Sequence, residues 1–224
     1  MAAGNRQMAF CTLESSVLIA VARSDHAEPL LHAAEILAEE GIRAVEVTFT
    51  VPGALQVIER LSQQLGETTL IGAGTVLDAA TARLAILAGA RFIVSPILDP
   101  ELVAMCHRYD TLVIPGAFTP TEIMSAWKLG VDAVKVFPAD VGGPSYLRAL
   151  HGPLPHVRLV PTGGVTPETA PAFLEAGAWC LAAGGALLPP AALRAEDWDE
   201  VRARARAFRA AVRRWVSDER NQSP

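Results

Sequence analysis

Eight short apolar runs recur along this chain at intervals of about 20 to 27 residues, each closing in small or turn residues and followed by an amphipathic stretch. The runs are Val17 to Ala22, Ala44 to Phe49, Thr69 to Ala73, Arg91 to Ser95, Thr111 to Pro115, Ala133 to Phe137, Val157 to Pro161 and Ala178 to Ala183. That alternation is the pattern of repeated βα units. Several runs are apolar on both faces, as a parallel sheet requires when helices cover its outside and side chains fill its inside. Eight units close a barrel, so the predicted class is α/β, a (β/α)8 TIM barrel with a short N-terminal helix over residues 1 to 16. An open doubly wound sheet would use the same elements, but the count of eight and the missing dinucleotide fingerprint favour the barrel.

Helical periodicity fills the intervals: Glu28 to Glu40, Pro52 to Leu65, Ala79 to Ala88, Asp99 to Arg108, Pro120 to Leu129, Pro144 to Leu150 and Pro167 to Ala176. Pro52, Pro120 and Pro167 suit the first helical turn, where a missing N–H costs little, and Gly41, Gly89, Gly130 and Gly177 suit left-handed helix ends. A last segment, Trp198 to Val216, sets Trp198, Val201, Ala205, Phe208, Val212 and Trp215 three or four residues apart, an apolar stripe that closes the barrel. Asn221 to Pro224 read as a frayed tail. With no linker or composition shift in the interior, residues 1–224 are expected to form one domain.

Composition narrows the function. Of 224 residues, 51% are apolar and 19% charged, which suits a large core and excludes intrinsic disorder. A net charge of -5 gives no global pull toward nucleic acid or anionic lipid. The arginines from Arg202 to Arg214 alternate with Trp, Phe and Val at helical spacing and read as a solvated helix face. Val17 to Ala22 is too short for a signal-peptide core and reads as a buried strand, so a cytoplasmic protein is expected. Cys11, Cys106 and Cys180 lack metal or redox spacing and suit core packing in a reducing compartment. His26, His32, His107, His151 and His156 lack ligand spacing, so no metal is expected.

Active sites of such barrels lie at the carboxyl ends of the strands, which makes polar residues there candidates by position. Lys135 interrupts the otherwise apolar run Ala133-Val134-Lys135-Val136-Phe137. The chain has two lysines against 17 arginines, and the other, Lys128, ends a helix where a cation complements the dipole. A lysine in a barrel strand is poorly solvated, which favours the neutral amine needed for a Schiff base with a carbonyl substrate. Its structural alternative is a buried lysine that only pairs with a carboxylate. Glu46 supplies such a carboxylate in Ala44-Val45-Glu46-Val47-Thr48. If the faces carrying Glu46 and Lys135 both point inward, burial and the lysine charge act on Glu46 in opposite directions and leave it a poised acid/base.

Paired glycines follow the last two strands. Thr162-Gly163-Gly164-Val165 and Gly184-Gly185 stand where barrel enzymes bind phosphate through backbone N–H groups, although tight turns also use glycine. Gly72-Ala73-Gly74-Thr75 lacks the third glycine and the lysine of nucleotide loops. Close backbone approach to a ligand, with Thr75 as a hydroxyl donor, is the better reading.

Together these residues resemble the 2-keto-3-deoxy-6-phosphogluconate aldolase family, class I aldolases with 4-hydroxy-2-oxoglutarate and 6-phosphogalactonate relatives. The resemblance rests on Val45-Glu46-Val47-Thr48, Gly72-Ala73-Gly74-Thr75-Val76, Val94-Ser95-Pro96, Pro115-Gly116, Val134-Lys135-Val136-Phe137-Pro138-Ala139, Pro161-Thr162-Gly163-Gly164 and Gly184-Gly185. It implies a homotrimer without metal or organic cofactor, cleaving a 2-keto-3-deoxy sugar acid phosphate to pyruvate and glyceraldehyde 3-phosphate. It further implies that Lys135 forms the imine and Glu46 moves protons. Thr75 would hold the pyruvyl carboxylate, Pro96 and Phe137 would wall the pocket, and Thr162 would lie beside the imine or the C4 hydroxyl. Gly163, Gly164, Gly184 and Gly185 would bind phosphate.

Two positions depart from the family pattern. Thr50 stands where many members carry an arginine for the substrate carboxylate, and Ala186 where many carry a phosphate-binding serine. Arg23, at the end of strand one, is the candidate replacement for that arginine, and phosphate affinity would rest on backbone amides, with Arg23 as a candidate contributor. A phosphate-binding barrel isomerase or epimerase and a non-catalytic sugar-acid-binding barrel are the competing readings. Lys135 argues against the first, and the set Lys135, Glu46 and Thr75 against the second.

Overall fold

The computed structural model describes residues 5–222. Nine parallel strands make eight staves: β1 (Leu18–Ala22), β2 (Ala44–Thr48), β3 (Leu70–Gly74), β4 (Phe92–Val94), β5 (Leu112–Ile114), β6 (Gly116–Ala117), β7 (Val134–Val136), β8 (Leu159–Pro161) and β9 (Leu181–Ala183). β5 and β6 are one stave divided by Pro115, which has no N–H for the ladder. Its carbonyl still accepts from the Lys135 N–H at 2.9 Å. Pairing runs β5-β4-β3-β2-β1-β9 and β6-β7-β8, and bridges from Leu159 to Ala178 and from Thr162 to Ala182 complete the ring. The barrel, not the open sheet, is therefore the fold.

Strand alternation sorts the core into two layers. Val45, Val47, Ile71, Ala73, Val134 and Val136 pack outward against the helices. Ile19, Ala44, Phe92, Val94, Ile114, Ala133, Val160 and Ala182 fill the lumen. Covering the staves are α1 (Asn5–Ser16), α2 (Glu28–Glu39), α3 (Ala54–Leu65), α4 (Ala79–Leu87), α5 (Pro100–Arg108), α6 (Pro120–Trp127), α7 (Gly143–His151), α8 (Ala170–Glu175), α9 (Pro190–Ala195) and α10 (Trp198–Gln222). α1 places Ala9 and Leu13 against the lumen residues at the amino-terminal mouth. Access is left at the other end, where the strands finish.

Helix termini follow their chemistry. Gly41, Gly89, Gly130 and Gly177 all have positive φ. Pro120 opens α6 behind a capping box in which Thr119 and Glu122 satisfy each other's backbone N–H groups, and Lys128 caps its far end. Pro52 and Pro167 instead lie in turns, because α3 begins after left-handed Gly53 and α8 after Thr169. Of the expected tail, Asn221 and Gln222 continue α10, while residues 223–224, like residues 1–4 of the leading helix, lie outside the described residues. Cys106 and Cys180 are buried as expected, but Cys11 is exposed, facing away from the side of α1 that carries Ala9 and Leu13.

Candidate active site

Glu46 and Lys135 both project into the barrel, from β2 and β7. Their neighbours along each strand settle the direction, since Ala44 and Ala133 belong to the lumen while Val45, Val47, Val134 and Val136 face the helices. Glu46 is 1% exposed and Lys135 6%. Neither carboxylate oxygen of Glu46 has a hydrogen-bond partner among the described residues. Burial pushes its pKa up, against the opposing pull of the positive Lys135 and Arg23. A desolvated carboxyl without hydrogen bonds costs stability, and that cost is characteristic of a group kept for proton transfer. The Lys135 ammonium position lies 5.0 Å above the ring of Phe137, whose side chain is 41% exposed at the barrel mouth.

Beside this pair opens a cavity of about 400 Å3. Arg23, Phe137, Thr162, Gly163, Gly164, Gly184 and Gly185 all line it, together with residues of β1 and β9, so that it gathers the segments that follow β1, β7, β8 and β9. Thr50, Thr75 and Pro96 stand after the carboxyl ends of β2, β3 and β4, outside that lining. Thr75 has φ +56°, strained for a β-branched residue. Flanking bonds hold it there: the Phe49 N–H donates to Gly74 O at 2.8 Å and the Val76 N–H to Val94 O at 3.2 Å. The hydroxyls of Thr48 and Thr50 are 2.8 Å apart, and Thr48 also donates to Ala22 O at 3.4 Å.

The two glycine pairs differ in what demands them. Gly163 and Gly164 have φ +102° and +67° and pack against Asp140, so their turn alone requires glycine. Gly184 and Gly185 have neither constraint: a Cβ on either would meet only ordinary contacts, at 3.8 Å or beyond. Space on the cavity wall, rather than local packing, is what glycine provides there. Gly72 and Gly74 make room for side chains of the lumen. A Cβ at Gly72 would overlap the Phe92 ring and one at Gly74 the Glu46 carboxylate. Inward alternation along β3 is the signal that would have shown this. Ala186 also lines the cavity, Thr48 supports Thr50, and α9 after Gly185 is too short, at six residues, to show a helical period in the sequence.

Among the described residues no group of three or more His, Cys, Asp or Glu side chains is placed to hold a metal ion. The arrangement offers an enclosed amine, a protonatable carboxyl within its field, and a mouth lined by backbone and one guanidinium. Those are the parts of covalent carbonyl chemistry on an anionic substrate.

Comparison with known proteins agrees. The family model described as KDPG and KHG aldolase matches residues 11–204. A 2-dehydro-3-deoxy-phosphogluconate aldolase from Pseudomonas aeruginosa is 35% identical over 205 residues, covering 91% of each chain. One from Treponema pallidum is 38% identical over 196 residues, covering 87% of this chain and 92% of its own. A crystal structure of KDPG aldolase from Legionella pneumophila, with pyruvate captured at low pH as a covalent carbinolamine intermediate, superposes with a TM-score of 0.82. It is 30% identical and covers 91% of this chain and 97% of its own.

Proposed function

This chain belongs to the KDPG and KHG aldolase family and is a class I aldolase, and we propose that it reversibly cleaves 2-keto-3-deoxy-6-phosphogluconate, or a related 2-keto-4-hydroxy acid, to pyruvate and an aldehyde such as glyceraldehyde 3-phosphate. The observation that carries the reading is the enclosure of Lys135 in the lumen with the hydrogen-bond-free carboxyl of Glu46.

In the proposed sequence the Lys135 amine adds to the keto carbon to give a carbinolamine, which loses water to form the imine. The protonated imine then accepts the electron pair released as the C4 hydroxyl gives up its proton and the C3–C4 bond breaks. The aldehyde leaves, and the enamine is protonated at C3 and hydrolysed to pyruvate and free amine. Glu46, directly or through water, carries protons in dehydration, cleavage and enamine protonation. Thr75 binds the pyruvyl carboxylate, Pro96 and Phe137 wall the pocket, and Thr162 lies beside the imine or the C4 hydroxyl.

Arg23 shares its cavity with Gly163, Gly164, Gly184 and Gly185. That neighbourhood supports a role at the distal anion of the substrate, where Ala186 offers no hydroxyl. Thr50, beside Thr48, contributes a hydroxyl near the carboxylate end in place of a guanidinium.

We propose further that the chain, as one domain, works as a homotrimer in the cytoplasm, without a metal or organic cofactor. Exposed apolar side chains support association: Leu84 and Leu87 on α4 are 52% and 63% exposed, and Leu77 before α4 and Ile97 after β4 are exposed as well. Light scattering tests the trimer, expected near three times the 23.7 kDa of one chain. Borohydride trapping with pyruvate, followed by peptide mass spectrometry, tests the chemistry. A single pyruvyl adduct on Lys135, absent from Lys135→Ala, is expected; an adduct on Lys128 alone, or none, overturns the assignment.

A further inference from the structure

A second cavity, of about 730 Å3, opens at the opposite end of the barrel from the site above, where α1 ends and β1, β2 and β3 begin. Its volume lies in the range of roughly 300–1,000 Å3 typical of small-molecule sites. Arg43, Arg209 and Arg213 line it against a single carboxylate, Glu67.

Arg43 precedes β2, and its Nη1 donates to Thr68 O at 3.2 Å. Arg209 reaches in from α10, with Nη1 donating to the Glu40 carbonyl. Among the described residues neither guanidinium forms an ion pair, whereas Arg202, Arg204 and Arg206, earlier on the same helix, all pair with Glu39, Glu40 or Glu200. Arg202, Arg204 and Arg206 are thus already neutralised by carboxylates, whereas Arg209 is held against main chain over a cavity. A guanidinium carries five N–H donors in a planar fork, and one carbonyl engages only a part of them. Gly41 makes this placement possible: its φ is +78°, and a Cβ there would overlap the Arg209 guanidinium.

We propose that this cavity is a binding site for a phosphate-bearing small molecule, held by Arg43 and Arg209 between α10 and the amino-terminal ends of β2 and β3. Guanidinium forks match phosphate oxygens in pairs, and Arg43 and Arg209 against the one carboxylate of Glu67 leave the wall positive. The concave shape selects a metabolite over an extended polymer. This site is separate from the aldolase site, and its test does not depend on turnover.

Inorganic pyrophosphate is titrated calorimetrically into the full chain, into Arg43→Ala/Arg209→Ala, into Arg43→Lys/Arg209→Lys and into Arg23→Ala. The expected result is a binding event that survives Arg23→Ala, weakens at least tenfold in the alanine pair and returns in part in the lysine pair. Because Arg43 is exposed, Arg43→Glu gives the same comparison without threatening the fold, should the alanine pair unfold. No binding, binding unchanged in the double variant and in Arg43→Glu, or binding abolished by Arg23→Ala alone overturns the proposal.

Discussion

Gly74 and Glu46 occupy adjacent strands so closely that a Cβ on Gly74 would overlap the Oε1 of the glutamate. The buried carboxyl rests against the bare backbone of β3, and no hydrogen bond from the described residues holds it in place. Its position is therefore set by shape.

Gly74→Ala is expected to displace the Glu46 carboxyl while leaving the barrel assembled. A misplacement of about 1 Å in a reacting group can lower turnover about 100-fold. The predicted signature is a fall in kcat of that order, with trapping of pyruvate on Lys135 retained. Unchanged kcat would show that the carboxyl position is not critical.

Glu46→Gln should separate catalysis from stability. Burial raises the Glu46 pKa in the folded chain above its ordinary 4.5. A raised carboxyl favours the folded state most below the unfolded value, and that contribution is lost as pH rises through the folded value. At neutral pH the charge is thus a cost that glutamine lacks. The variant should melt about 2–4 °C higher near pH 7, the shift that roughly 1 kcal/mol gives a domain of this size. The gain should shrink toward zero as pH falls to about the ordinary carboxyl range, while aldolase activity drops at every pH. Thermal denaturation across pH checks the sign.

Arg23→Ala should raise KM for phosphorylated aldehyde in the condensation direction by about tenfold, as loss of one charge-assisted contact predicts, and leave KM for pyruvate nearly unchanged. Gly185→Ala, which local packing accommodates, should act in the same direction by narrowing the cavity. A rise confined to pyruvate would move Arg23 to the carboxylate end.

Thiol reactivity should count one cysteine of three in the native chain. Cys11 is exposed, burial pushes the Cys106 thiol up to about 12, and burial raises Cys180 as well. A thiolate-specific disulfide reagent at pH 8 should therefore titrate one thiol quickly and all three after denaturation. Two or more fast thiols in the native state would contradict the packing of α5 or β9.

Much of this architecture was legible because period and punctuation coincide. Strand runs ending in small residues, and glycines that had to adopt positive φ, fixed the eight units to within one to three residues at most boundaries. That Glu46 shares a face with Ala44 and Lys135 with Ala133 followed from alternation, but strands apolar on both faces left the inward direction to the structure. What escaped depends on contacts distant in sequence or on very short elements. α9 spans six residues after a Gly-Pro-rich stretch, too few to display a helical period. Cys11 sits on a helix of which only one face meets the lumen. The far cavity exists because α10 returns to Glu40 across 169 residues, as the bond from Arg209 shows, and nothing local in either segment announces that meeting.

The scarcity of lysine has a practical corollary. Lys135 is 6% exposed inside the lumen while Lys128 stands exposed at the end of α6, on the outer shell. Of the two lysine side chains, amine-directed esters therefore meet one accessible amine per chain, away from the lumen. A dye, tether or solid support attached through Lys128 leaves the barrel mouth open, so the outer shell can be labelled without blocking the reacting amine.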